Sequence, residues 1–277
     1  MKKVIIKPRT GWFDINLAEL FRYRDLIRMF VKRSFSSQYK QTILGPLWFI
    51  INPLLTTLMF TFVFGGIAKI STDGVPQFLF YLAGNTLWSF FALCLTSTSN
   101  TFTTNAAIFG KVYFPRLTMP ISTVIFSGIS LLVQLALLAI AIIYYICINA
   151  PVAPSWYLLM LPVWIVQIAL LALGFGIIIS SLTTKYRDLT ILVTFGVQLW
   201  MYLSPVVYPV SSLSGTYKVL IMLNPVSPII GNFRHAALGC GTMEWGYWCV
   251  SLVTTAIVLA CGVILFSRIE KTFMDTV

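Results

Sequence analysis

SFSSQYKQTILGPLWFIINPLLTTLMFTFVF, residues 34–64, carries a basic polar run straight into an apolar segment without a single charge. Lys40 is the last ionic side chain before Lys69. A helix needs ~20 residues to cross a hydrocarbon core, so the interval holds one crossing. Pro46 and Pro53 punctuate it, and Asn52-Pro53 falls near its middle. Proline removes a backbone donor, which predicts a kinked or loosened turn there.

Composition extends this membrane reading to the whole chain. Hydrophobic residues make up 58% and charged ones 10%, with a mean hydropathy of +0.88, whereas a soluble domain carries ~25% charge. Spans laid end to end use up the chain and leave no room for a soluble enzyme domain, so residues 1–277 read as one integral membrane domain. The net charge of +11 would suit nucleic acid, but ten of the nineteen Lys and Arg lie before Gln41. Basic residues crowded against a first span hold that flank in the cytoplasm and attract anionic head groups. The partner is therefore a membrane surface and not nucleic acid. The opening MKKVIIKPRTGWFDI lacks the apolar core of a cleavable signal peptide. The five cysteines show no CxxC and no metal-ligand spacing. Four read as small apolar residues in or near spans, while Cys240 falls in an outer loop with Cys249 as its candidate for a bridge.

Asn16 and Glu19 make an N-cap and capping-box pair for a helix over residues 16–35. Arg22, Asp25, Arg28 and Lys32 recur on one side of it, with Leu20, Tyr23, Ile27, Phe30 and Val31 on the other. Such a helix lies in the interface. Six spans are predicted after it, at 43–64, 78–95, 121–148, 156–180, 189–203 and 246–266. The uncharged run from Leu117 to Thr184 exceeds one helix, and NAPVAP at 149–154 divides it. Residues 204–238 are neither a clean helix nor a polar loop. Broken apolar pieces at membrane depth are tolerated only where protein or a water-filled cavity receives their backbone. They read as two short re-entrant helices forming an external gate, with Pro205, Tyr208, Pro209, Pro225 and Pro228 at the breaks. With both termini cytoplasmic, sixteen Lys and Arg lie inside, and Lys69, Lys218 and Arg234 outside. The fold class is all-α integral membrane: six transmembrane helices, an N-terminal amphipathic interface helix and two re-entrant external helices between spans 5 and 6.

Absences set the chemistry. The predicted spans hold no Asp, Glu, Lys, Arg or His, although ion-driven carriers place ionisable groups within the membrane. There is no GxxxxGK[ST], so no P-loop binds ATP on this chain. None of the eight carboxylates joins a cluster suited to a metal or to acid-base work. The chain reads as a transporter subunit and not an enzyme, with no cofactor of its own. His235, the only histidine, reads with Arg234 as an interface residue. Trp48, Phe49, Phe60, Trp88, Phe91, Trp200 and Tyr202 either line a passage or form ordinary interfacial belts.

In order and spacing, the basic amphipathic helix, QTILGPLW at 41–48, VYFPR at 112–116, SPVVYP at 204–209, NPVSPII at 224–230 and the tail resemble one family. It is the membrane (permease) subunit of bacterial polysaccharide-export ABC transporters of the type 2 exporter class, which includes O-antigen, capsule and teichoic-acid permeases. The resemblance covers nearly the whole chain. It implies a homodimer driven by two ABC ATPase subunits, which carry the ATP and Mg. The cargo it implies is a polysaccharide on an undecaprenyl-type lipid, crossing the bacterial inner membrane. It puts a coupling helix against the ATPase at Thr103, Asn105, Ala107, Ile108, Lys111 and Tyr113, with a second contact in TTKYRD at 183–188. Arg28, Lys32, Arg33 and Lys40 then sit where the lipid phosphate would pass, a group such cations match; otherwise they form a solvated face that anchors the N-terminus. A drug or small-lipid exporter permease of the same architecture is the alternative, and the sugar repeat is not written in the residues.

Overall fold

The computed structural model describes residues 22–39, 44–109, 114–183 and 188–272, and every regular element among them is helical. The expected Asn16–Glu19 cap lies outside these residues. The first described helix, α1 (Arg24–Tyr39), turns Phe30 inward and leaves Arg28, Lys32 and Arg33 exposed. Gly45, at φ +49°, opens a single 3-10 turn, Gly45–Leu47, with Pro46 where a missing N–H goes unfelt. Helix α2 (Trp48–Phe60) runs on through Pro53, and the departure from α geometry comes downstream, in the π-helical segment Thr61–Ile67. There Ala68 N donates to Val63 O, five residues back, at 2.9 Å. Gln77 Nε2 also donates to Gly65 O at 3.3 Å, and a Cβ on Gly65 would lie 2.3 Å from Gln77 Oε1. A side chain at 65 would thus displace the Gln77 amide and break its bond to Gly65 O.

Helix α3 (Gln77–Ser99) reaches Ser99 and not Leu95, because its polar end satisfies itself. Thr96 Oγ1 donates to Ala92 O at 2.7 Å and Ser99 Oγ to Thr96 O at 2.7 Å. A short helix, α4 (Thr101–Phe109), follows. The long α5 (Thr118–Cys147) starts earlier than expected, since Pro120 is tolerated in a first turn. After NAPVAP, a 3-10 turn (Trp156–Met160) leads into α6 (Leu161–Thr183), and the chain ends in α10 (Trp245–Thr272).

Five stretches are long and apolar enough to cross a membrane: Gly45–Ile67, Gln77–Ser99, Thr118–Cys147, Trp156–Thr183 and Trp245–Arg268. The remaining expected span, the fifth in chain order, is a helix of 14 residues, α7 (Leu189–Tyr202). At 1.5 Å per residue it reaches ~21 Å, short of a ~30 Å hydrocarbon core. Pro205 stops it by biasing Ser204 away from helical geometry. Two short helices, α8 (Gly215–Leu223) and α9 (Val226–Leu238), occupy the broken region.

The central strut is α3: 78% of its apolar window is inside the protein, against 17–56% for the other four. Helices α2, α5, α6 and α9 pack around it. Bare glycines set the closest approaches. A Cβ on Gly176 of α6 would lie 2.5 Å from Thr98 Cβ of α3, and one on Gly262 of α10 would lie 2.8 Å from Gly174 O of α6. Small residues at helix crossings let backbones meet where lipid supplies no hydrophobic drive. Outward, Leu58, Phe62, Ile143, Ile191 and Ile257 are exposed, a surface suited to lipid or to another apolar chain.

Candidate functional site

The two ends of α3 carry two different assemblies. At the end where α3 meets α4, five phenylalanines from four places close into one cluster. Phe102 stacks on Phe266 of α10 at 4.7 Å, Phe109 lies 5.8 Å from Phe102 and 5.8 Å from Phe114, and Phe30 of α1 lies 5.6 Å from Phe114. Arg116 stands over the Phe109 ring at 5.6 Å. Helix α4 therefore cannot shift without carrying α1 and the feet of α5, α6 and α10. Of the predicted coupling residues, Thr103 is exposed and Asn105 and Ile108 are half-buried. Their polar groups fold back on the helix, Thr103 Oγ1 to Asn100 O at 3.0 Å and Asn105 Nδ2 to Thr101 O at 3.0 Å. Ala107 belongs to α4, but its side chain lies outside the described residues, as do Lys111, Tyr113 and residues 184–187 of TTKYRD.

On α1, Arg28 Nη1 lies 3.6 Å from Asp25 Oδ1, with the two side chains 79% and 81% exposed. So open a pair adds little, and the charge stays available. Arg28, Lys32 and Arg33 share the solvent side of α1; Lys40 lies outside the described residues.

At the opposite end, Asn224 is the joint of the broken region. Its Nδ2 donates to Leu203 O at 3.1 Å and Ser204 Oγ at 2.8 Å, while Oδ1 accepts from Trp200 Nε1 at 3.0 Å and Val226 N at 3.2 Å. One side chain thus ties the end of α7 to the start of α9. A chain of bonds anchors the same point to the spans: Trp248 Nε1 to Gln167 Oε1 at 2.8 Å, Gln167 Nε2 to Ser251 Oγ at 2.8 Å, and Ser251 Oγ to Pro225 O at 2.6 Å. The C-terminal carbonyls of α9 are capped by NAPVAP and its neighbour, through Ala153 N to Leu238 O at 3.1 Å and Ser155 N to Ala236 O at 2.9 Å. Gly239, at φ +80°, makes the left-handed turn that ends α9. Ser211 Oγ donates to Asp73 Oδ1 at 2.5 Å, and Lys218 Nζ pairs with Glu244 Oε1 at 2.7 Å. Pro205, Pro209 and Pro228 are buried in this assembly, with Tyr208 and Pro225 half-buried.

Arg234 departs from expectation. It does not share the partial exposure of His235, whose Nδ1 lies 3.0 Å from Gly241 O; it is 3% exposed, inside the chain. Nη1 donates to Pro205 O at 2.9 Å and Nη2 to Val206 O at 2.8 Å, with the guanidinium 3.7 Å above the Phe80 ring. Burial lowers its pKa to about 10, against the opposing pull of Cys240, Asp73 and Tyr81, so it is charged at neutral pH. Burial likewise raises the Cys240 thiol above its ordinary range. Sequence reasoning missed this group by counting Arg234 among the external charges and reading it with His235 at an interface, whereas the structure buries it. It missed the phenylalanine cluster too, although Phe102 and Phe109 stand seven apart, on one helix face.

The seven aromatics predicted for a passage separate. Trp88 and Phe91 fill the core at 4% and 0% exposure. Trp200 meets both Phe91 and Phe175 edge-on at 5.2 Å, joining α3, α6 and α7. Phe49 is buried and Phe60 half-buried, while Trp48 and Tyr202 present free faces at 40% and 53%.

Known proteins match across both assemblies. Two Klebsiella pneumoniae proteins named O-antigen export system permease protein RfbA are 26% and 28% identical over 261 and 267 residues, each match covering 94% of this chain and 96% of theirs. A Myxococcus xanthus protein of the same name is 24% identical over 218 residues, 78% of this chain and 81% of its own. Residues 25–238, from the first turn of α1 to the last residue of α9, fit the pattern described as ABC-2 type transporter, and the chain belongs to that family.

Proposed function

We propose that the chain is the membrane subunit of an ATP-driven exporter that moves lipid-linked, undecaprenyl-type polysaccharide such as O-antigen across the bacterial inner membrane. It works as a homodimer with two ABC ATPase subunits, which hold ATP and Mg. The observation that carries this reading is the end-to-end likeness to permeases of that name, 94% of the chain in two of them. Family membership supports a transporter subunit and argues against an enzyme.

The geometry suits the division of labour. The α4 end is where ATPase movement enters, at Thr103, Asn105, Ala107, Ile108, Lys111 and Tyr113. The phenylalanine cluster supports this, because it ties α4 to α1 and to three spans. Exposed Arg28, Lys32 and Arg33, continued by Lys40, meet the lipid phosphate. Trp48 and Tyr202 offer faces to passing sugar rings. Residues 204–238 form the external gate as re-entrant helices, α7 belongs to the fifth crossing, and both termini are cytoplasmic.

Deleting the gene should remove long-chain surface polysaccharide, with lipid-linked polymer building up inside, and the chain plus its ATPase should restore it. Surface polysaccharide of full length in the deletion strain would refute the substrate, and loss of drug or small-lipid efflux instead would favour the alternative exporter.

A further inference from the structure

Arg234 is charged, buried, and paired with no carboxylate among the described residues. A buried cation without compensation is strongly unfavourable. Here the compensation is two carbonyls and a ring. Pro205 O and Val206 O lie just past the end of α7, beyond any helical ladder, and would themselves be buried without a donor. The Phe80 ring offers its negative face below. The two carbonyls and the two terminal guanidinium nitrogens thus satisfy one another, while Nε stays buried without a partner among the described residues.

The arrangement is specific to arginine. Two successive carbonyls need two donors in one plane, which a guanidinium fork supplies and an ammonium does not. Space for the fork comes from Gly84 of α3, where a Cβ would lie 2.2 Å from Arg234 Nη2 and 2.9 Å from Val206 O. Three separate stretches meet here: α3, the SPVVYP segment and α9. Beside them lies Cys240, 6% exposed, its Sγ 3.8 Å from Arg234 O.

We propose that Arg234 is the pin of this end: its guanidinium holds the SPVVYP segment and α9 against α3, and the gate opens only when it leaves the two carbonyls. The second half rests on the reading of residues 204–238 as a gate.

Native Cys240 reports on the pin. In full-length permease with its ATPase, and with Cys94, Cys147, Cys249 and Cys261 replaced by Ala, N-ethylmaleimide labelling of Cys240 in native membranes measures opening. Arg234→Met and Gly84→Ala should each speed labelling about tenfold, as local opening exposes a protected group. Arg234→Lys should resemble Arg234→Met, because the charge stays and the fork is lost. The double change Gly84→Ala with Arg234→Met should label no faster than Arg234→Met alone, since the guanidinium is gone and Val206 O, no longer held by it, can yield to the new methyl. Labelling at the parent rate in Arg234→Met and Gly84→Ala overturns the pin; should Arg234→Met fail to accumulate, Gly84→Ala decides by itself. Polysaccharide export by the same strains separates the two readings: faster labelling with undiminished export keeps the pin and sinks the gate.

Discussion

Asn224 shows how much of this protein rests on single polar side chains. Its amide answers Trp200, Leu203, Ser204 and Val226 together, so truncation strands several half-buried groups. A stranded buried partner costs about 1–3 kcal/mol. Asn224→Ala should therefore destabilise the detergent-purified permease by about 2 kcal/mol, read as a lowered thermal midpoint. Asn224→Asp, which keeps the oxygen for Trp200 but loses the donor to Leu203 O, should fall between; an unchanged midpoint in Asn224→Ala would remove the joint. The residues announced the break, since Asn-Pro at 224–225 stops a helix. They did not announce which side chains would mend it, because those bonds join positions about twenty apart in the chain. Burial of Phe91 was equally hidden: an aromatic in an apolar span looks the same whether it faces a passage or packs on Trp200.

Helix pairs in this fold are set by where side chains are missing. Adding a methyl at Gly262 meets Gly174 O, whereas Gly196 of α7 has open space around it. Gly262→Ala should force α10 off α6 and destabilise by about 1–3 kcal/mol. Gly196→Ala should be neutral or gain about 0.5–1 kcal/mol from helix propensity. Equal midpoints for the two variants would contradict the close crossing. On α1 the matter is charge and not packing. Replacing Arg28, Lys32 and Arg33 together by Gln should leave folding intact and cut substrate-stimulated ATPase activity of the complex several-fold. High salt should weaken the parent in the same direction, since exposed charges are screened within ~8–10 Å at physiological salt. Undiminished stimulation would withdraw these residues from the lipid phosphate. Elements of this kind were legible from the sequence where one face or one charge-free run spoke for itself, as with α1 and the five long stretches. Helix α7 was legible in its bounds, predicted at 189–203 and found at Leu189–Tyr202, but its 14 residues are short for a crossing by themselves.

Across the whole molecule, the two ends of α3 are built for different work. One gathers phenylalanines from α1, α4, the segment before α5 and α10 into one packed cluster; the other knits short helices with hydrogen bonds around a buried arginine. Between them the long spans carry no ionisable side chain before Arg268. The proposed function takes its force from a partner at the α4 end, since ion-driven carriers place ionisable groups within the membrane. The expectation of an outside drive came from what the sequence lacks, while the joining of α1 to α4 was not legible, because it depends on rings meeting across the fold. The direct measurement is transport in proteoliposomes containing the permease and preloaded lipid-linked polysaccharide, with and without the ABC ATPase subunit. Polysaccharide should cross only when the ATPase and hydrolysable ATP are both present; uphill movement by the permease alone would contradict a passage driven from outside.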